Sequence, residues 1–178
     1  MVTLDFFLFF MVLVFALIGS MRGWAKELLV SFAVVLAIFI VSIVEDLAPN
    51  LVTEFTRAGT TAYFWVRTVL VVVLVFFGYQ TPNLPKLGGA RFARERLQDI
   101  LLGAVLGGFN GFLIVGSLWY FMHTAGYPFQ PKIIPPIDDG ITKSAFAIIT
   151  WISSNWISGP LLYVTVALAF LFVLVVLI

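Results

Sequence analysis

Asp5 and Arg67 are the two charged residues that fall inside long apolar runs of this sequence. A charge in the hydrocarbon of a bilayer is costly and tends to be paired. Asp5 lies close to one end of its run. Arg67 lies ~9 Å along a helix that would begin near Thr61, so the two depths nearly agree and an ion pair between their helices is expected. The competing reading is that Arg67 extends alone to the headgroups. Asn110 is a further polar side chain within an apolar run.

The most distinctive polar cluster is Arg22-Gly23-Trp24-Ala25-Lys26-Glu27. One reading is a simple bend between helices: basic residues stop insertion, Gly23 permits the turn, and Trp24 anchors it at the interface. The other reading keeps Arg22 and Glu27 as a docking or ion-pairing site at the mouth of a helix bundle.

Much chemistry has no residues to carry it. There is no cysteine and a single histidine, so no zinc-ligand spacing exists. His123 reads as an interfacial residue. Asp138 and Asp139 could meet a divalent cation, but adjacent carboxylates are more often a solvated turn. No phosphate-binding loop, Gly-x-Ser-x-Gly elbow or dinucleotide fingerprint occurs. No enzyme activity and no cofactor or metal are expected. A net charge of +1 offers no basic surface for nucleic acid.

The elements that must position these residues are membrane helices. The chain is 62% hydrophobic and 11% charged over 178 residues, against about 45–50% and about 25% in soluble domains. Mean hydropathy is +1.11. The fold class expected is an all-α integral membrane protein, a single membrane domain of five transmembrane helices plus an amphipathic interfacial helix. About 20 apolar residues cross a bilayer core, and the predicted spans are 2–20, 28–44, 61–79, 100–122 and 161–178. A cleaved signal peptide at the first span is disfavoured, because no basic segment precedes it and no small-x-small site follows.

The loop 21–27 is short enough to make spans one and two an antiparallel hairpin. Loop 80–99 is basic, and the proline-rich stretch within 123–160 is expected to be extended. Arg22, Lys26, Lys86, Arg91, Arg94 and Arg96 fall in the first and third loops; Arg57, Lys132 and Lys143 fall in the others. The positive-inside rule then puts the N-terminus outside and the C-terminus in the cytoplasm. Residues 144–157 set Ala145, Phe146, Ile148, Ile149, Ile152 and Trp156 opposite Ser144, Thr150, Ser153 and Ser154. They read either as an amphipathic helix lying in the outer interface or as a re-entrant segment packed under the bundle.

In the fourth span Gly103, Gly107 and Gly111 recur every fourth residue and share one helix face. Glycines there let a second backbone approach closely; the partner is span one, span two or another subunit. A weak repeat joins Gly19-Ser-Met-Arg-Gly-Trp24 to Gly107-Gly-Phe-Asn-Gly-Phe112, which would suit two related helical halves.

Asp5, then Arg22-Gly23-Trp24 with Glu27-Leu28, then Leu102-Gly103-Ala104-x-x-Gly107-x-x-Asn110-Gly111 together resemble the colicin V production protein family over residues 1–157. The stretch 144–157 is similar to the family's region after its fourth span. The resemblance implies a small bacterial inner-membrane protein acting in colicin export and envelope homeostasis, with no established biochemical activity. Asn110 stands where the family often has arginine, and the fifth span is an addition to the usual four.

Two functions are therefore weighed. One is a non-enzymatic inner-membrane protein, active in envelope or secretion-related processes, whose glycine face and Arg22 turn bind other membrane protein subunits or a second copy. The other is a small transporter or channel component using Asp5, Arg67 and Asn110. Transporters place polar groups near the bilayer midplane, and the near-absence of such groups favours the first.

Overall fold

The computed structural model describes residues 3–57, 60–80, 93–152 and 160–177, and every regular element among them is helical. The helices are α1 (Leu4–Arg22), α2 (Trp24–Leu47), α3 (Pro49–Arg57), α4 (Thr60–Tyr79), α5 (Ala93–Thr124), α6 (Lys143–Trp151) and α7 (Pro160–Leu177). Among the described residues, four runs are long and apolar enough to cross a membrane: Leu4–Arg22, Trp24–Leu47, Thr61–Tyr79 and Glu95–Thr124. In α7 the apolar stretch Leu161–Leu171 is shorter.

The loop expected at 21–27 contracts to one residue. Gly23 has φ +86°, a conformation that L side chains rarely adopt, and its N–H bonds back to Gly19 O at 3.0 Å. The chain therefore leaves α1 and enters α2 at once, and Glu27 lies inside α2 with no exposed surface. Part of the second loop is also helical: α3 starts at Pro49, where a missing N–H costs nothing in the first turn. α5 begins at Ala93, well before the 100 expected.

α2 is the central helix. Val30, Val34, Ile38 and Val41, spaced by three or four residues, are buried along one stripe, as one face of a helix must be. That stripe meets α4 and α5, whose buried contributions include Val71, Val75, Leu113 and Phe121. α1 lies chiefly against α5 rather than against its hairpin partner α2. α6 rests on α1 and α5, and α7 on α2.

The segment after α5 is packed rather than simply extended. Tyr127 is buried and its hydroxyl accepts a hydrogen bond from Trp119 Nε1 at 3.1 Å. Phe129 meets Phe64 and Trp65 edge-on at 5.4 and 6.2 Å. The proline-rich stretch thus caps the ends of α4 and α5. Of the predicted helix 144–157, residues 144–151 are helical as part of α6, and 153–157 lie outside the described residues.

Candidate functional site

At the Gly23 end of the bundle, a single buried carboxylate gathers four elements. Glu27 Oε1 lies 2.6 Å from Arg22 Nη1, and Glu27 Oε2 accepts from Asn110 Nδ2 at 2.9 Å. The same amide nitrogen reaches Glu27 O at 3.0 Å, and Asn110 Oδ1 accepts from Ser31 Oγ at 2.7 Å. Arg22 Nη2 donates to Tyr79 O at 3.2 Å, and its guanidinium stacks on the Tyr79 ring at 4.4 Å. Contributions thus come from α1 (Arg22), α2 (Glu27, Ser31), α4 (Tyr79) and α5 (Asn110). Each carboxylate oxygen has a partner, which is what allows a charge to sit in a dry bundle. The Tyr79 hydroxyl, by contrast, is buried without one.

Helix periodicity explains the convergence. Glu27 and Ser31 are four residues apart and so share a face of α2. Arg22 can reach Glu27 because only Gly23 separates the two helices. At the same end, Trp24 N donates to Asp99 Oδ1 at 3.1 Å, so a carboxylate of α5 caps α2, whose own N-cap Gly23 has no side chain to do so. A Cβ on Gly23 would stand 2.7 Å from Asp99 Oδ1. Trp24, Glu95, Gln98, Asp99 and Leu102 line an open cleft of about 290 Å³ beside this cap.

The glycines of α5 hold α1 against that cluster. Cβ atoms built on Gly107 and Gly111 would stand 2.9 Å from Gly19 Cα and 2.7 Å from Phe15 Cβ, and one on Gly103 would strike Gly19 O. All three therefore face α1, and the seam is filled within the chain. It is not available to another subunit, contrary to one use expected of it. The two copies of the weak repeat meet here: Gly19 packs on Gly107, and the matching polar residues Arg22 and Asn110 take the two oxygens of Glu27.

The pairing of Asp5 with Arg67 is corrected. α4 packs on α2 and α5, whereas α1 packs on α5 and α6, so the two charges face different neighbours. Arg67 is buried at 4% exposure. Its Nη1 lies 3.5 Å from Glu45 Oε1, and Nη2 donates to Thr124 Oγ1 at 2.8 Å and Phe121 O at 3.4 Å. Its guanidinium lies over the Tyr63 ring at 3.9 Å and the Phe121 ring at 4.8 Å. Tyr63 OH also donates to Glu45 Oε1 at 2.5 Å. It does not reach alone for headgroups. Asp5 Oδ2 instead accepts from Ser144 Oγ of α6, and Oδ1 is buried without a partner.

Sequence reasoning missed Ser31, Tyr79, Asp99, Glu45, Tyr63, Thr124 and Ser144 as partners. Ser31 carried a signal, its four-residue spacing from Glu27; Glu45 was assigned to a loop and carried none. His123 lies exposed at the end of α5, edge-on to Tyr127 at 5.7 Å. Asp139 spends its carboxylate on a turn, accepting from Ile141 N and Thr142 N, each at 3.0 Å. The Thr142 amide bond is the main influence holding that carboxyl below its ordinary pKa, with the Ile141 amide and Thr142 hydroxyl adding to it.

A family model described as Colicin V production protein matches residues 4–147. It ends within α6, so α7 lies beyond the match. No curated protein and no solved structure matches the chain.

Proposed function

Because the chain belongs to the Colicin V production protein family, we propose that it serves as a non-enzymatic protein of the bacterial inner membrane that binds partner membrane proteins in secretion or envelope processes. The reading includes α7 as a fifth span, with the N-terminus outside and the C-terminus in the cytoplasm. The observation that carries it is the dry layer between the two polar clusters. Ser31 and Glu45 are separated by ~21 Å along α2, and the buried residues between them are Val34, Val35, Ala37, Ile38 and Val41. Across from these, the Ser117 hydroxyl is spent on its own helix, donating to Leu113 O at 2.6 Å. A solute or proton path would need polar groups through that layer. A closed bundle whose buried charges Glu27 and Arg67 are paired within the chain suits a subunit whose work is done at its surface.

Flux and crosslinking separate this from the alternative, a small transporter or channel component, which the burial of Glu27 and Arg67 favours. Proteoliposomes are expected to hold ion and small-solute gradients like empty vesicles. Photo-crosslinkers on outward residues of α1 and α4 should give discrete adducts in native membranes. Solute flux that disappears in Glu27→Gln would establish the transporter reading instead. For orientation, Gln98→Cys and Lys132→Cys should label from opposite sides, with 98 protected in intact cells; equal labelling overturns the assignment.

A further inference from the structure

α6 connects two depths of the bundle. Its first turn is tied to the start of α1 by the Ser144–Asp5 hydrogen bond. Just past its last turn, Ile152 Cδ1 lies 3.3 Å from the position a Cβ on Gly116 would take, and Trp151 lies against Phe112 with ring centroids 6.3 Å apart. Gly116 is ~12 Å along α5 from its end at Thr124, and the nine steps from Lys143 to Ile152 rise ~13.5 Å as helix. In the antiparallel α1–α5 seam Phe15 packs on Gly111, which sets Asp5 level with about residue 121 of α5, so α6 descends from there towards Gly116 at a slant to α5. The chain is back at the outer level by α7, where Tyr163 OH donates to Asp46 Oδ2 at 2.9 Å, beside the end of α2. Ala145, Ile149 and Ile152 are buried, while Phe146 and Trp151 are 39% and 51% exposed. That division suits an element with protein on one side and hydrocarbon on the other.

We propose that α6 is a re-entrant strap that enters the outer half of the bilayer, seals the groove between α1 and α5 over Gly116, and is latched at its mouth by Asp5. At Gly116 a Cβ would meet the tip of Ile152 alone, at 3.3 Å, so the glycine leaves room for that side chain against α5. Asp5 is the polar latch of the strap, its Oδ2 accepting from Ser144 Oγ while Oδ1 is buried without a hydrogen-bond partner. The mouth of the strap at Asp5 lies at the opposite end of the bundle from the Glu27 cluster, and the proposal does not rest on what binds there.

The chain has no cysteine, so a single introduced one labels uniquely. Spin labels at Phe146→Cys and Trp151→Cys, in protein reconstituted into phosphatidylcholine–phosphatidylglycerol vesicles, report depth through the ratio of oxygen to nickel-chelate accessibility. The strap predicts that position 151 lies deeper than 146, by at most ~7 Å. Equal depths would mean that the helix lies flat in the interface and would overturn the proposal. Asp5→Ala should collapse the depth difference and raise label mobility at 146, whereas Asp5→Asn, which keeps an acceptor oxygen, should retain both. Ser144→Ala should reproduce Asp5→Ala, and it serves in its place if that variant does not fold. Depths unchanged in the alanine variants would remove Asp5 as the latch.

Discussion

Asn110 Nδ2 donates to Glu27 Oε2 at 2.9 Å across 83 residues of sequence, and this bond fastens α5 to the helix that carries the core. Two further bonds from Asn110, to Glu27 O and from Ser31 Oγ, use most of its hydrogen-bonding capacity. Arg22 completes the carboxylate from the other side. A carboxylate whose two oxygens are both paired favours one arrangement of a bundle, because another would leave a buried oxygen unpaired.

Removing one member should therefore be more damaging than trimming an apolar side chain. Asn110→Leu leaves Glu27 Oε2 without its donor, while Ser31 Oγ keeps Glu27 O as acceptor at 3.1 Å, with an expected loss of about 1–3 kcal/mol. Glu27→Ala strands Arg22 and should lose about 3–5 kcal/mol. Glu27→Gln should fall well short of that. Thermal unfolding in detergent, read by circular dichroism, ranks the three; a neutral Asn110→Leu would show that the bond contributes nothing to stability.

Neighbouring glycines of α5 should behave in opposite ways. A Cβ on Gly107 meets α1 backbone, at 2.9 Å from Gly19 Cα, whereas one on Gly108 finds ordinary contacts at 3.5 and 3.6 Å with Ala16 and Val12. Gly107→Ala should separate α1 from α5, and Gly107→Leu should do so further, with losses of about 1–3 kcal/mol or more from overpacking. Gly108→Ala should match the parent within about 0.5 kcal/mol. Equal melting temperatures for the Gly107 and Gly108 variants would contradict the seam.

Arg67 should couple to Glu45 and not to Asp5. Glu45→Gln with Arg67→Gln is expected to give a double-mutant coupling of about 1 kcal/mol, limited by the partial exposure of Glu45. The cycle of Asp5→Asn with Arg67→Gln should be additive within about 0.5 kcal/mol. Coupling in the second cycle and additivity in the first would reverse the pairing described above.

The Asp139 turn should respond to acid. Its carboxyl sits below the ordinary value of 3.8, chiefly through the Thr142 amide. A lowered folded pKa means that its contribution is fully present above 3.8 and is lost as pH falls through the lower folded value. Amide exchange at Ile141 and Thr142 should accelerate in that acid range relative to their neighbours, and Asp139→Ala should abolish the pH dependence. Unchanged relative exchange would detach the turn from this carboxylate.

Composition and apolar run length alone determined that this is a helical membrane protein, and four of the predicted runs fall on helices long and apolar enough to cross a membrane. The reason is that 62% apolar content leaves few places where a chain can leave lipid. The glycine spacing likewise marked a close contact, because four-residue intervals define a helix face whatever the partner. Only the tertiary structure decided who meets whom. α1 lies on α5, so Gly103, Gly107 and Gly111 were filled from within and Asp5 turned to Ser144. α4 lies on α2, so Arg67 found Glu45, a residue that reads as loop until α2 is seen to continue to Leu47. Hydropathy is a property of each segment by itself, whereas a charge pair depends on the rotation and neighbour order of two helices, which local pattern does not encode. The Glu27 cluster shows both: Arg22 and Glu27 were legible as neighbours across Gly23, but Asn110 joined them only because α5 packs into the angle between α1 and α2.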